Sequence, residues 1–266
     1  MPYTLNDLKT LTSEELRSFF TELLEPLEPA DYELTLSGLG FGKDDKTPED
    51  ASLLHYAASA GLIPIVDTLI QIGYANEKTK IGADIGHYAA FGGNLEALSY
   101  ILDKGYAEKN ARDTQGAGLI HYAARGGHLD IIRYLVGKGL DISATTAYGA
   151  DALQYAVQGA NIKDIQTLIT LGLQSRLRAA DDRGNTLLHA AAGAGRHRLV
   201  SLLINTYHLD PTIENLEKQT IVDFASRSDD AKTIEVCSQY FSEAAPPKDV
   251  EEEVKVAPSS PRRSST

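Results

Sequence analysis

The fold is decided by one stretch of the sequence, Gly118-Leu119-Ile120-His121-Tyr122-Ala123-Ala124, because this stretch recurs along the chain. Its last four residues return as His55-Tyr56-Ala57-Ala58 and His87-Tyr88-Ala89-Ala90, and weaker copies begin at Gln154, His189 and Asp223. Successive copies lie 32 to 35 residues apart. Six copies at so constant a period indicate an array of similar units rather than one globular core.

Each unit carries the pattern of two helices. Three residues before the histidine position stand side chains that suit a helix N-cap, namely Ser52, Asp84, Asp151, Thr186 and Thr220. Further on, apolar pairs such as Ile131-Ile132 recur four residues later as Leu135-Val136, which makes one stripe on a second helix. A glycine that suits a helix stop follows at Gly73, Gly105, Gly139 and Gly172. The units therefore need stacking, because one unit alone cannot bury its apolar face.

At these positions the chain resembles the ankyrin repeat family, whose signature is Thr-Pro-Leu-His-x-Ala-Ala. The resemblance implies an all-α solenoid of about six helix-turn-helix units over residues 47–242. The units are placed at about 47–78, 79–112, 113–145, 146–180, 181–214 and 215–242. None of the six copies has proline at the first helical position, so the helix starts lack a preset φ.

Residues 1–46 do not repeat, and two roles were open for them. Thr12-Ser13-Glu14-Glu15 forms a capping box, with Leu11 and Leu16 placed as a hydrophobic staple. Helically spaced apolar residues follow, which favours an N-terminal helical cap on the first repeat. The same stretch resembles the opening of an F-box without its tail pattern, so a second interaction segment is the alternative.

Residues 243–266 are predicted to be a disordered tail, because they offer little to bury. The acidic run Glu251-Glu252-Glu253, followed by small and polar residues, resembles the C-terminal secretion signals of type IV effectors from intracellular bacteria such as Legionella. The alternative is a phosphorylatable tail, with Ser260-Pro261 and Arg262-Arg263-Ser264 as sites, on a eukaryotic scaffold.

Charge and composition limit the partners. The 266 residues have a net charge of −12, which argues against general nucleic-acid binding and against anionic membranes. The single cysteine, Cys237, excludes an internal disulfide framework. No apolar run is long enough for a membrane span, and the N-terminus lacks a signal-peptide pattern. We therefore expect a cytoplasmic, monomeric protein, secreted into a host cytosol if the tail is a signal.

The sequence points to no catalytic or cofactor site. His55, His87, His121 and His189 occupy one repeat position, so they form a ladder and do not converge on a metal. The resemblance implies that each bonds backbone in a neighbouring turn. Cys237 falls at an apolar helix position and is interpreted as a small buried hydrophobe. No phosphate-binding loop, nucleophile elbow or metalloprotease motif occurs, so we expect neither an enzyme nor a cofactor or metal.

The resemblance places the binding positions at the linker tips and along the first helices. The tips give Lys80, Ile81, Thr114, Gln115, Tyr148, Asp182, Arg183 and Asn185. The first helices give Phe91, Arg125, Gln158 and Arg227. A tyrosine follows the histidine position in four successive units, and we call these residues the tyrosine row: Tyr56, Tyr88, Tyr122 and Tyr155. The row consists either of binding anchors or of packing residues between helices.

The leading hypothesis is a non-enzymatic protein–protein interaction module, a secreted bacterial effector that binds a host protein in its concave groove. The second is an adaptor for ubiquitin ligation, in which residues 5–35 recruit a ligase. The third is an enzyme with an unrecognised site. The sequence leaves the partner unnamed and leaves modification of Asn110 open.

Overall fold

The computed structural model describes residues 4–24, 27, 31–39, 41–74 and 77–244, and its regular structure is helical. Within these ranges the β pairing amounts to two isolated bridges, Arg112 with Gly118 and Ala180 with Thr186. The helices are α1 (Ser13–Leu24), α2 (Tyr32–Gly38), α3 (Leu53–Ala60), α4 (Ile63–Gln71), α5 (Ile85–Gly92), α6 (Leu95–Asp103), α7 (Leu119–Gly126), α8 (Leu129–Gly137), α9 (Ala152–Gly159), α10 (Ile162–Leu168), α11 (Leu187–Gly193), α12 (His197–Asn205), α13 (Ile221–Ala225) and α14 (Ala231–Ala244).

Six helix pairs, from α3 with α4 to α13 with α14, follow one another as the repeat period predicts. Each first helix packs against the first helix of the next pair. The apolar side chains of the pairs join one continuous core along the array. The prediction of an all-α solenoid of helix-turn-helix units is therefore confirmed.

The predicted N-cap residues stand at the N-cap positions of their helices. Oδ1 of Asp84, for example, accepts from the backbone N–H groups of Gly86 and His87 at 2.9 and 3.2 Å. The third unit has Gly118 in this place, so α7 starts without a capping side chain. The carboxylates of Asp84 and Asp151 thus satisfy N–H groups that a helix start would otherwise leave unpaired.

Glycine at the end of the first helices allows neighbouring helices to meet backbone to backbone. A Cβ atom on Gly92 would lie 1.9 Å from the carbonyl oxygen of Ser59, and one on Gly159 would lie 2.1 Å from that of Arg125. Since these distances are far below any contact distance, a larger residue would push the units apart. The small residues thus fix how closely the first helices stack.

The fourth unit departs from the regular pattern. Helix α10 ends at Leu168 and continues as a π turn, Ile169–Leu173, in which Gly172 has φ of 151°. A short 3-10 turn, Gln174–Arg176, follows. The longest spacing between copies, 35 residues, falls in this part of the chain. The additional length is thus taken up in the linker.

The last helix of the array runs past residue 242, where the repeats were predicted to end. Helix α14 extends to Ala244, two residues into the segment predicted to be a tail. A hydrogen bond of 2.9 Å from Gln239 to Glu243, one helical turn apart, supports this last turn. The predicted secretion and phosphorylation motifs, at 251–253 and 260–264, lie outside the described residues.

The N-terminal segment packs on the first repeat. Leu16, Phe20 and Leu24 of α1 are buried in the common core. Arg17 donates to the carbonyl oxygen of Ala60, at the end of α3, at 3.1 and 3.3 Å. Before α1, a 3-10 turn, Asp7–Thr10, inserts the side chain of Leu8 into the core.

The predicted capping box at Thr12 is present. The backbone N–H of Thr12 donates to Glu15 at 2.7 Å, and the N–H of Glu15 donates to the Thr12 hydroxyl at 3.2 Å.

Among the described residues, no helix has the length and apolar character needed to cross a lipid bilayer.

Candidate interaction surface

The tips of neighbouring linkers are joined by backbone hydrogen bonds. The carbonyl of Ile81 accepts from the N–H of Thr114 at 2.7 Å, and the carbonyl of Tyr148 accepts from that of Asp182 at 2.9 Å. Three further hydrogen bonds of the same kind complete the series. In them the N–H groups of Lys80, Ala147 and Leu216 donate to the carbonyl oxygens of Glu49, Gln115 and Arg183, respectively. The tips therefore form one continuous ladder along the array, which we call the tip ladder.

Most side chains of the tip ladder point to solvent. Ile81 and Tyr148 are 46% and 58% exposed, which is unusual for large apolar groups. The exposed polar tip residues are Lys80, Thr114, Gln115, Asp182 and Arg183. Asn185 is different because it is half-buried and bonds to Asp181 and Asn215 at 3.0 and 2.8 Å. Its side chain holds the fifth and sixth tips together.

The tyrosine row runs along the first helices, and each ring meets the histidine of the preceding unit edge to face. The ring centroids are 4.9 Å apart for His55 and Tyr88, 4.8 Å for His87 and Tyr122, and 5.1 Å for His121 and Tyr155. Tyr56 and Tyr122 are buried, whereas Tyr88 and Tyr155 are half-buried. The row thus packs between helices and presents surface at alternate units.

The hydroxyl groups of this row differ in their partners. Tyr122 donates to Oδ2 of Asp113 at 3.0 Å. In the described part of the chain, the hydroxyls of Tyr88 and Tyr155 have no hydrogen-bond partner. Burial, followed by nearby negative charge, raises the pKa of both groups. They therefore stay protonated and are available as donors to a bound molecule.

Two of the arginines predicted on first helices lie over aromatic rings, although Arg227 stands in the turn two residues beyond the end of α13. The guanidinium of Arg125 is 5.8 Å from the ring centroid of Phe91, and that of Arg227 is 5.1 Å from Phe224. Phe91 is itself 43% exposed. Gln158, the corresponding position of the next unit, is exposed beside them. The predicted first-helix positions therefore lie at the surface.

A cleft opens where the tyrosine row meets the N-terminal segment. It has a volume of about 260 Å³ and continues past Phe91 and Arg125 into a second cleft of about 460 Å³. The first is lined by Leu8, Lys9, Leu11, Leu16, Tyr56, Ser59, Ile81, Tyr88, Phe91, Tyr122 and Arg125. The second adds Thr10, Thr12, Gly126, His128, Gln158 and Gly159. We call the two together the N-terminal groove.

Sequence reasoning missed one wall of this groove. Lys9 and Leu11 belong to the non-repeating segment, yet they line both clefts together with Phe91 and Arg125. The signal in the sequence was Leu11, placed just before the capping box as part of the hydrophobic staple. A period of 33 residues says nothing about a segment that does not repeat.

The four ladder histidines are buried. The predicted bond to the backbone of a neighbouring turn is present at His87 and His189, whereas Nε2 of His55 and of His121 has no hydrogen-bond partner among the described residues. Nδ1 of His189 accepts from the N–H of Thr186 at 3.2 Å, and Nε2 faces the carbonyl of Gln219 in the next unit at 3.1 Å. Nδ1 of His55, His87 and His121 lies 3.1 to 3.2 Å from the equivalent N–H group. Gln154 makes both contacts in the fourth unit, at 3.1 Å each.

Two other kinds of reactive group were considered in the sequence, the cysteine thiol and side chains that could bind a metal. Cys237 is fully buried, as predicted, and burial raises the pKa of its thiol to about 11. In the ranges the structure describes, no three His, Cys, Asp or Glu side chains are placed to hold a metal ion.

Two family models, for ankyrin repeats in three copies and for a single ankyrin repeat, match this chain. The first matches residues 54–146 and 87–178, and the second matches residues 183–213. The chain belongs to the ankyrin repeat family. Together the matches cover residues 54–178 and 183–213, which is more than half of the chain. No curated protein is similar enough in sequence to count as a relative.

Solved ankyrin-type structures share the fold. A chain from the complex of the predatory endopeptidase Bd0816 of Bdellovibrio bacteriovorus with the immunity protein Bd3460 has 23% identity and a TM-score of 0.52; the match covers 73% of this chain and 99% of that one. The human ASB11 ankyrin repeat domain has 21% identity and a TM-score of 0.53, with 83% and 96% covered. At such identities the likeness concerns the fold alone.

Proposed function

We propose that this ankyrin repeat protein is a non-enzymatic interaction module that holds a protein partner against the tip ladder and the first helices. The observation that supports the proposal best is that four of the eight large exposed apolar side chains of the described residues lie on this face. Ile81, Tyr148 and Leu216 stand on the tip ladder, and Phe91 stands beside it on α5. Exposed apolar groups gathered on one face are typical of interaction sites.

Backbone order on this face favours tight binding. Because the tip ladder is tied at every step by main-chain hydrogen bonds, its side chains stand at fixed spacings before a partner arrives. Binding then costs less ordering of loops. Tyrosine and arginine, both present here, are the residues that most often dominate interface energetics.

The test is quantitative capture of partners on the immobilised full-length chain. The triple substitution Ile81→Ser, Phe91→Ser and Tyr148→Ser should abolish the recovery of bound proteins. The control is Leu34→Ser with Val136→Ser, which removes two exposed apolar side chains outside the tip ladder and the first helices. If both variants lose the same amount of bound protein, or if neither variant loses any, the assignment of this face is contradicted.

A finer proposal concerns the setting in which the module works. The acidic run at 251–253 supports a role as a secreted bacterial effector that binds a host protein, and this support comes from the sequence alone. Deleting residues 245–266 should stop delivery of a reporter fusion into host cells while partner binding is retained. Delivery that is unchanged by the deletion contradicts the effector role.

The ubiquitin-adaptor alternative, in which residues 5–35 recruit a ligase, gains no support from the packing of α1. The apolar side chains of α1, including Leu16, Phe20 and Leu24, are used inside the molecule. A ligase subunit would need those side chains at the surface.

A further inference from the structure

The N-terminal groove differs in charge from the rest of the protein. The chain as a whole has a net charge of −12. The charged side chains that line the two clefts are nevertheless Lys9 and Arg125, with no Asp or Glu among the lining residues. His128, which also lines the second cleft, bonds the carbonyl of Phe91 at 2.9 Å. An acidic protein thus has a groove whose walls carry positive charge only.

The guanidinium of Arg125 is placed to receive an anion. One face of it lies over the ring of Phe91, which restricts its position. In the described part of the chain it pairs with no carboxylate and makes no side-chain hydrogen bond. Its N–H edges, which match a carboxylate in two-point geometry, are therefore unused.

The second cation is only loosely committed. Lys9 stands 3.8 Å from Glu49, and both side chains are about half exposed. A pair so long and so exposed contributes little, and it exchanges readily for another carboxylate. Lys9 and Arg125 both line each of the two clefts, so one acidic segment reaches both.

Apolar surface adjoins this positive charge. Ile81 and Phe91 are nearly half exposed, and half-buried Tyr88, which lines the same cleft, offers an unused hydroxyl donor. Half-buried Leu11 also lines the groove. An apolar side chain of a partner can be covered here while a neighbouring carboxylate meets Arg125.

We propose that the N-terminal groove binds a linear acidic segment of a partner protein, in which an Asp or Glu lies next to an apolar residue. The carboxylate is held by Arg125 and Lys9, and the apolar side chain lies over Tyr88 and Ile81. The proposal deepens the proposed function and rests on it. Charge complementarity decides for an acidic partner over a second copy of this chain, because two copies at −12 each repel one another.

The first experiment is selection of random linear peptides, displayed on phage, against the immobilised full-length chain. The expected result is enrichment of Asp or Glu beside an aliphatic or aromatic residue. Selected peptides without this preference overturn the inference. If their binding is still lost with the Ile81, Phe91 and Tyr148 substitutions, the proposed function stands nonetheless.

The second experiment measures the affinity of one selected peptide, labelled with fluorescein, by anisotropy. Arg125→Gln should weaken binding by about tenfold, because a charge-assisted hydrogen bond is lost. Arg133→Gln on α8 is the matched control, since Arg133 is an exposed arginine outside the groove. Equal effects of the two variants overturn the inference.

Charge reversal separates an ion pair from a general loss of stability. With Arg125→Glu, the acidic peptide should bind at least tenfold more weakly, and a peptide carrying Lys in place of its carboxylate should regain part of this loss. No regain with the Lys peptide contradicts a direct pair with Arg125.

The chain's own acidic run is the competing occupant. Changing Glu251, Glu252 and Glu253 together to Gln in the full-length chain should leave the affinity of the peptide unchanged. A gain of tenfold or more overturns the choice of a partner segment, because the tail would then fill the groove.

Discussion

The hydroxyl of Tyr122 donates a 3.0 Å hydrogen bond to Asp113, and this contact ties helix α7 to the tip of its own repeat. The other carboxylate oxygen of Asp113 accepts from the N–H groups of Gln115 and Ala117, both at 2.8 Å. Asp113 is buried, so each of these bonds replaces hydration that the carboxylate has lost. One side chain thus shapes the tip and fixes it to the first helix.

This contact predicts a selective effect of removing one oxygen atom. Tyr122→Phe keeps the ring packed against His87 but takes one donor from buried Asp113, which should lower the free energy of unfolding by about 1 kcal/mol. The control is Tyr155→Phe, whose hydroxyl has no partner among the described residues, and which should change stability little. Urea unfolding followed by circular dichroism measures both. Equal changes would mean that the bond contributes nothing.

The buried histidines predict a loss of stability on acidification. Burial lowers the pKa of His55 from 6.5 to about 4, and it also lowers the pKa of His121 and of His189. Between pH 6.5 and 4 the unfolded chain therefore binds more protons than the folded one, so stability falls as the pH falls. His55 alone should account for about 2 kcal/mol between pH 7 and pH 5.

The fourth repeat supplies the matched variant for this prediction. Gln154 makes the contacts of the ladder histidines without titrating. The substitution His55→Gln should therefore leave the fold intact and reduce the slope of stability against pH between 6.5 and 5. Urea midpoints at four pH values decide the matter, and an unchanged slope would remove His55 from the explanation. Carboxylates with a lowered pKa, such as Asp223, act only at lower pH.

Two phenylalanines, Phe20 of α1 and Phe91 of α5, should differ in how much stability is lost when the side chain is removed. Phe20 is fully buried against the first repeat, so Phe20→Ala should cost about 3–5 kcal/mol of stability. Phe91 is 43% exposed, and Phe91→Ala should cost less than about 1 kcal/mol, since it loses mainly the contact with Arg125. Thermal and urea unfolding compare the two, with hydrogen exchange to locate the loosened region. A harmless Phe20→Ala would show that α1 does not stabilise the array.

The reaction rate of the Cys237 thiol should report on opening of the last repeat. The thiol is fully buried, and its raised pKa keeps it protonated at neutral pH. A thiol reagent such as DTNB should therefore react far more slowly with the native protein than with the protein in urea. Because the chain has one cysteine, the signal comes from one site. Native labelling as fast as that of free glutathione would contradict this burial.

The repeat made much of the fold predictable, for physical reasons that individual residues illustrate. Asp84 and Ser52 were placed as N-caps because only short polar side chains reach the free N–H groups of a helix start. Phe91 and Arg125 were placed at the surface by their position within the unit. What could not be predicted depends on contacts between segments without a shared period, such as the placement of Lys9 in the same groove as Arg125.

Burial within the tyrosine row was also beyond the sequence. Tyr56, Tyr88, Tyr122 and Tyr155 occupy one repeat position, yet only Tyr88 and Tyr155 keep a partly accessible ring. The difference depends on the side chains around each ring, for example Asp113 of the same repeat beside Tyr122. The same residue type at the same position of the repeat therefore need not have the same surroundings.

The tip ladder has a consequence for how this surface changes over evolutionary time. Its cohesion comes from main-chain groups, which every residue except proline supplies in the same way. Mutations at Ile81, Gln115 or Tyr148 can therefore accumulate while the scaffold keeps its shape. A lineage carrying this protein can acquire a new target by drift at a few outward-facing codons, with no intermediate that fails to fold.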